Sequence, residues 1–206
     1  IDSRFDIGQD NEELNSNSYL SYIILHQPSF LFNYTNIGYQ SYYIDNQSVN
    51  LMKELLFDVH RIGNIKNNVE VTEPLIRNAD IVTIDTSAFC AADAPGVKYN
   101  SPNGFSSEDG CKMTRYAGLN PKLTSIGFFE YNPSCDVNDI TANTISQMIW
   151  YFIEGFSLRM DDYPTQNSKD FKRYNVRLED VDDDIVFLCH KVSGKWWMDL
   201  SFKSKD

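Results

Sequence analysis

"ADIVTIDTSAF" (79–89) is the stretch on which the fold turns. Ile81, Val82 and Ile84 form an apolar, β-branched core that runs into a carboxylate, Asp85. An unbroken run of this kind reads as a strand covered on both faces, as in a parallel sheet. An acid directly after it stands at the mouth of the core, where sheets of this type bind ligands.

The flanking sequence fits the same reading. "LTSIGFFEYNP" (123–133) is a second buried strand, closed by Asn132-Pro133 and carrying Glu130 near its end. "FNYTNIGYQSYY" (32–43) is a third, and "IDSRFDIG" (1–8) begins like the end of a fourth, followed by Asp2 and Asp6 with Arg4 between them. A chain that starts with Ile inside a strand is expected to be a fragment of something longer. "NQSVNLMKELLFDVHRIG" (46–63) has helical spacing, with Ser48 as N-cap and Gly63 as stop. "SSEDGCKMTRYAGL" (106–119) reads as a short helix, and "DVNDITANTISQMIWYFIEGFSLR" (136–159) as a long apolar helix packed on the sheet. Alternating strands and helices imply an α/β body over 1–159 with a mostly parallel sheet. "MDDYPTQNSKDFKR" (160–173) reads as a polar linker, and "DIVFLCHKVSGKWWMDLSF" (184–202) as an appended β-hairpin turning at Ser193-Gly194, so that 160–206 is linker plus hairpin.

Composition narrows the function. A net charge of −11 over 206 residues disfavours nucleic acid and anionic membrane as partners. No apolar run reaches the roughly 18 residues of a membrane span. Cys90, Cys111, Cys135 and Cys189 are widely spaced and form no CxxC pair, so they read as reduced thiols of a cytoplasmic protein without support for zinc. His26, His60 and His190 lie away from the strand-end acids and read as structural or surface residues. An acid after a strand also caps a helix or faces water; convergence of Asp2, Asp6, Asp85 and Glu130 on one crevice is the sharper expectation.

In their order, "IDSRFD", "TIDTSAFCAADAP", "YNSPNGFSSED", "FFEYNP" and "DITANTISQMI" resemble the ureohydrolase superfamily of arginase, agmatinase and formimidoylglutamase over roughly residues 1–158. "IWYFIEG" and "KWWMDL" look like the divergent Bacteroidetes members. The resemblance implies a three-layer α/β/α sandwich and Mn²⁺-dependent hydrolysis of a guanidino or formimino C–N bond. It makes Asp2, Asp6 and Asp85 metal-ligand positions and Glu130 the position that pairs with the substrate's cationic end. Two ligand positions depart from the family pattern: its first-motif histidine is Arg4, and the second aspartate of its D-x-D is Ser87. Tyr19 falls near the family's proton-shuttling histidine. Arginine has no lone pair for a metal and stays protonated. The expectation is therefore that Arg4 pairs with the acids in place of the metals, leaving no bound cofactor, or Mn²⁺ if the protein is active.

Three readings remain open from sequence. The first is a non-catalytic protein binding a partner or a cationic small molecule. The second is an active hydrolase of formimino or guanidino substrates. The third is a structural subunit, self-associating or joined to a protein partner through the hairpin, where adjacent Trp196 and Trp197 point to opposite faces.

Overall fold

In a computed structural model, residues 1–8, 13–165, 169–177 and 184–199 are described. The chain divides into two compact units, Ile1–Arg159 and Met160–Asp206.

In the first unit the elements are α1 (Tyr19–Leu25), β1 (Thr35–Tyr39), α2 (Asn46–Glu54), β2 (Asp58–Arg61), α3 (Ile62–Lys66), α4 (Thr72–Ile76), β3 (Ile81–Asp85), α5 (Ser107–Leu119), β4 (Ser125–Phe129) and α6 (Ile140–Ser157). β1 pairs with β2, and β3 with β4, both in parallel. Residues 1–3 join the two pairs. The Asp2 amide donates to the Ile37 carbonyl at 3.1 Å, and the Asp85 amide donates to the Ile1 carbonyl at 3.0 Å. The expectation that the chain starts at strand level is met in this sense. The lateral order is β2, β1, residues 1–3, β3, β4, and the bonds on either side of residues 1–3 follow a parallel ladder.

Several boundaries differ from the sequence reading, each for a local reason. The helix read over 46–63 ends at Glu54, because Leu56 adopts φ 60° and turns the chain into β2. Its N-cap is Asp45, whose carboxylate accepts the Ser48 amide at 2.7 Å, rather than Ser48 itself. β3 is buried on alternate residues only: Val82 and Ile84 face the core, while Ile81 is 62% exposed. α6 buries Met148 in the core but leaves Trp150 and Ile153 exposed, so only part of its apolar surface is packed. α5 opens on a capping box, with Ser106 and Asp109 exchanging side-chain and backbone bonds.

The core gathers Ile37, Val82, Ile84, Phe89, Phe105, Met113 and Met148. A smaller cluster of Phe5, Leu20 and Met52 anchors α1 and α2. Gly38, at φ +112°, lies against the Phe105 ring, and a Cβ there would collide with it.

In the second unit, β5 (Phe171–Val176), β6 (Ile185–His190) and β7 (Trp196–Asp199) form an antiparallel sheet in that order. Part of the segment read as a linker is thus a third strand, and Gly194 at φ 69° makes the expected turn between β6 and β7. Trp197 packs on Phe171 while Trp196, half exposed, lies against Tyr174, in keeping with opposite faces. All four cysteines are free, and among the described residues no helix is long and apolar enough to cross a membrane.

Candidate metal and ligand site

The site is assembled where residues 1–6, β3 and β4 end. Register fixes the partners: Asp85 stands opposite Phe129, so Glu130 emerges one residue beyond the β3 acid. The Thr86 hydroxyl donates to the Phe129 carbonyl at 2.8 Å and ties the two strand ends together. Glu130 then turns the chain at φ 60°, and Asp6 does the same at φ 52°. Such left-handed backbone is uncommon outside glycine and asparagine and recurs at functional sites.

Carboxylate oxygens of Asp2, Asp6 and Asp85 all lie within 4.8 Å of one another. Asp2 and Asp6 are buried and Asp85 partly so. They share one pocket with Arg4, Ser87, Glu130, Ser16, Asn17, Val97 and Tyr99. Every strand-end acid and both substituted positions named from sequence therefore meet in a single crevice. The three histidines do not: among the described residues none joins the acid cluster. Tyr19 packs against the Phe5–Leu20–Met52 cluster, and burial pushes its phenol well above the ordinary tyrosine range.

Burial, then crowding of like charges, sets the electrostatics, and Arg4 offsets it only in part at Asp6 and Asp85. Burial, then the charges of Asp6 and Asp85, raises the Asp2 carboxyl well above its usual range. Burial pushes Asp6 up to about 6, against the pull of its hydrogen bond with Asp2. The hydrogen bond between the two carboxyls couples their titration, raising Asp2 and lowering Asp6. Asp85 is raised by burial and partly relieved by the Ser87 amide, which donates to it at 2.7 Å.

Arg4 does not supply the missing charge by direct pairing. Its guanidinium lies over the Tyr43 ring, 4.2 Å from the centroid, and it forms no ion pair with any described carboxylate. Only its backbone touches the cluster: its amide donates to Asp2 Oδ1 at 2.8 Å, and its carbonyl accepts from Asn36 Nδ2 at 2.8 Å. The expectation that Arg4 occupies the place of the metals is corrected here. A tyrosine face offers the guanidinium a partner that does not require desolvating a second charge.

Sequence reasoning missed Ser16, Asn17, Val97, Tyr99 and Tyr43. The polar run "NSNS" (15–18) was the one available signal for the first two. Nothing near residues 43 or 99 distinguishes those tyrosines from the chain's other aromatics.

The donor set fits a divalent cation. Three hard carboxylates converge, their pKa values raised by burial and then by mutual repulsion, which is the arrangement a Mg²⁺- or Mn²⁺-type ion would relieve.

Comparison with known proteins now bears on this geometry. The model of the arginase family matches residues 1–154. A formiminoglutamase from Trypanosoma cruzi, solved with Mn²⁺, superposes with a TM-score of 0.68 at 17% identity, over 78% of this chain and 56% of its own. Formimidoylglutamase from Bacillus subtilis gives 0.59 at 17% identity, over 77% of this chain and 52% of its own. Arginase from the same bacterium gives 0.50 at 21% identity, over 56% of this chain and 42% of its own. The chain thus spans about half the length of these structures. No curated protein matches. The likenesses establish the arginase-like α/β fold, and the match over most of the first unit establishes kinship: the chain belongs to the arginase family.

Proposed function

We propose that this is a binding protein built on the arginase-family fold, with a degenerate metal site that keeps one divalent cation. Asp2, Asp6 and Asp85 hold the ion, Mn²⁺ by analogy with the T. cruzi relative, and Glu130 receives the cationic end of a small ligand. The observation that carries the reading is three carboxylates within 4.8 Å of one another while the nearby guanidinium turns onto Tyr43. Burial and the neighbouring charges penalise the ionised form of these acids, a penalty that a bound cation would relieve. Two positions that are ligands in the family pattern offer no anionic donor among the described residues: Arg4 cannot ligate, and Ser87 presents a hydroxyl where a carboxylate would stand. A bound ion of this class polarises ligand atoms and lowers the pKa of water. This chain's own residues orient the ligand between the ion and Glu130 in a half-enclosed pocket.

A second reading, an active formimidoylglutamase- or arginase-like hydrolase, draws support from the gathering of all four family acid positions, Asp2, Asp6, Asp85 and Glu130, in one crevice. The intact protein, loaded with Mn²⁺ and offered formimidoylglutamate, arginine and agmatine, separates the two. Ammonia or urea release no faster than without protein supports the binding reading. Turnover that disappears in Glu130→Gln establishes the hydrolase. A cytoplasmic location and kinship with the divergent Bacteroidetes members belong to the same proposal, supported by the free cysteines and by "IWYFIEG" and "KWWMDL". A protein partner or self-association through the half-exposed Trp196 is a further possibility of the same non-catalytic class.

A further inference from the structure

We propose that Arg4, mounted on the face of Tyr43, is a receptor for a carboxylate of the bound ligand and so sets the pocket's specificity. The inference rests on the binding reading above and deepens it.

A guanidinium has five N–H donors in one plane. In Arg4 one face of that plane is taken by Tyr43, while its edge makes no hydrogen bond or ion pair with any described residue. Such a cation beside several acids calls for an explanation, and the three aspartates of the cluster with Asp45 provide it, because each already accepts or shares a hydrogen bond. Asp2 accepts the Arg4 backbone amide at 2.8 Å and shares a bond with Asp6. Asp85 accepts the Ser87 amide at 2.7 Å, and Asp45 accepts the Ser48 amide at 2.7 Å.

Placement gives the free edge its use. Arg4 lines the acid pocket together with Glu130, and it also lines an adjoining cavity walled by Tyr43, Ile44, Ser48 and Tyr99. It therefore stands where the two spaces meet. Stacking on an aromatic ring fixes the plane of a guanidinium, and a fixed fork matches a planar carboxylate through two parallel hydrogen bonds. With a divalent ion among Asp2, Asp6 and Asp85, the pocket no longer repels an anion at Arg4. Glu130 and Arg4 line one pocket, so the ligand proposed here carries a cationic nitrogen for the first and a carboxylate for the second.

The test labels Arg4 in the intact protein with phenylglyoxal, reading the peptide by mass spectrometry. Two probes of matched length are compared, 4-guanidinobutyrate and the uncharged-tail butylguanidine, each with and without Mn²⁺. Labelling of Arg4 slowed at least tenfold by saturating 4-guanidinobutyrate, and left unchanged by butylguanidine, is the expected result. Equal labelling with both probes overturns the carboxylate receptor, whether or not Mn²⁺ is retained. Mn²⁺ content measured on the same samples reports separately on the cation site. Selective protection by 4-guanidinobutyrate in samples that hold no Mn²⁺ would uphold the receptor and reject the single-ion reading on which it was built.

Discussion

At the scale of single residues, the chemistry lies in how two neighbours of like origin are treated. Asp2 and Asp6 turn inward and are hydrogen-bonded to each other, whereas Arg4 between them turns onto Tyr43. The acids were legible in the sequence because each follows a strand end. The direction of Arg4 was not, since it depends on a ring 39 positions away that only tertiary structure brings near. A pH dependence follows. In the cation-free protein Asp6 has a folded pKa of about 6, above its ordinary 3.8, so between these values the folded state binds more protons than the unfolded one. Stability is therefore highest below about pH 4 as far as this group is concerned, and falls as pH rises through 6. The loss amounts to about 1 to 3 kcal/mol. Urea titrations at pH 5 and pH 7.5 should show it, and Mn²⁺ should reverse it at the higher pH. Stability that rises across this interval without added metal would contradict the assignment.

Among elements, the strands that carry the site were readable, as were β1, β6 and β7, whereas β2 and β5 were missed. β3 and β4 announce themselves by apolar, β-branched runs ending in acids. β2 was absorbed into the preceding helix because Leu51, Leu55, Val59 and Ile62 happen to keep helical spacing, while the reversal at Leu56 has no glycine to signal it. β5, "FKRYNV", is largely exposed and polar and looked like linker. The packing of α6 was misjudged for a related reason. Its mean apolarity suggested burial on the sheet, but its tightest approach is to α5, where Gly155 and Gly118 meet backbone to backbone. A Cβ at 155 would stand 3.1 Å from the Gly118 Cα and run into the Arg115 carbonyl. Gly155→Ala should therefore destabilise the protein by about 1 to 3 kcal/mol through forced separation of α5 and α6. Denaturant unfolding measures it; a gain in stability, as helix propensity alone would give, would refute this packing.

On the scale of the whole molecule, the order of motifs along the chain carried the family, and no one motif would have done so. Parallel pairing of β1 with β2 and of β3 with β4, with residues 1–3 between, brings acids from positions 2, 6, 85 and 130 to one edge of the sheet. The proposed single-ion site rests on the charge balance of that edge. It gathers three clustered aspartates and Glu130, has Arg4 and Ser87 at two family ligand positions, and the Arg4 guanidinium makes no ion pair with any described carboxylate. The most direct test is equilibrium dialysis of the intact protein against Mn²⁺, with metal content read by mass spectrometry. One Mn²⁺ per chain, weakened at least about tenfold by Asp85→Asn through loss of a ligand charge, is the predicted result. Two ions per chain, or none, would contradict it.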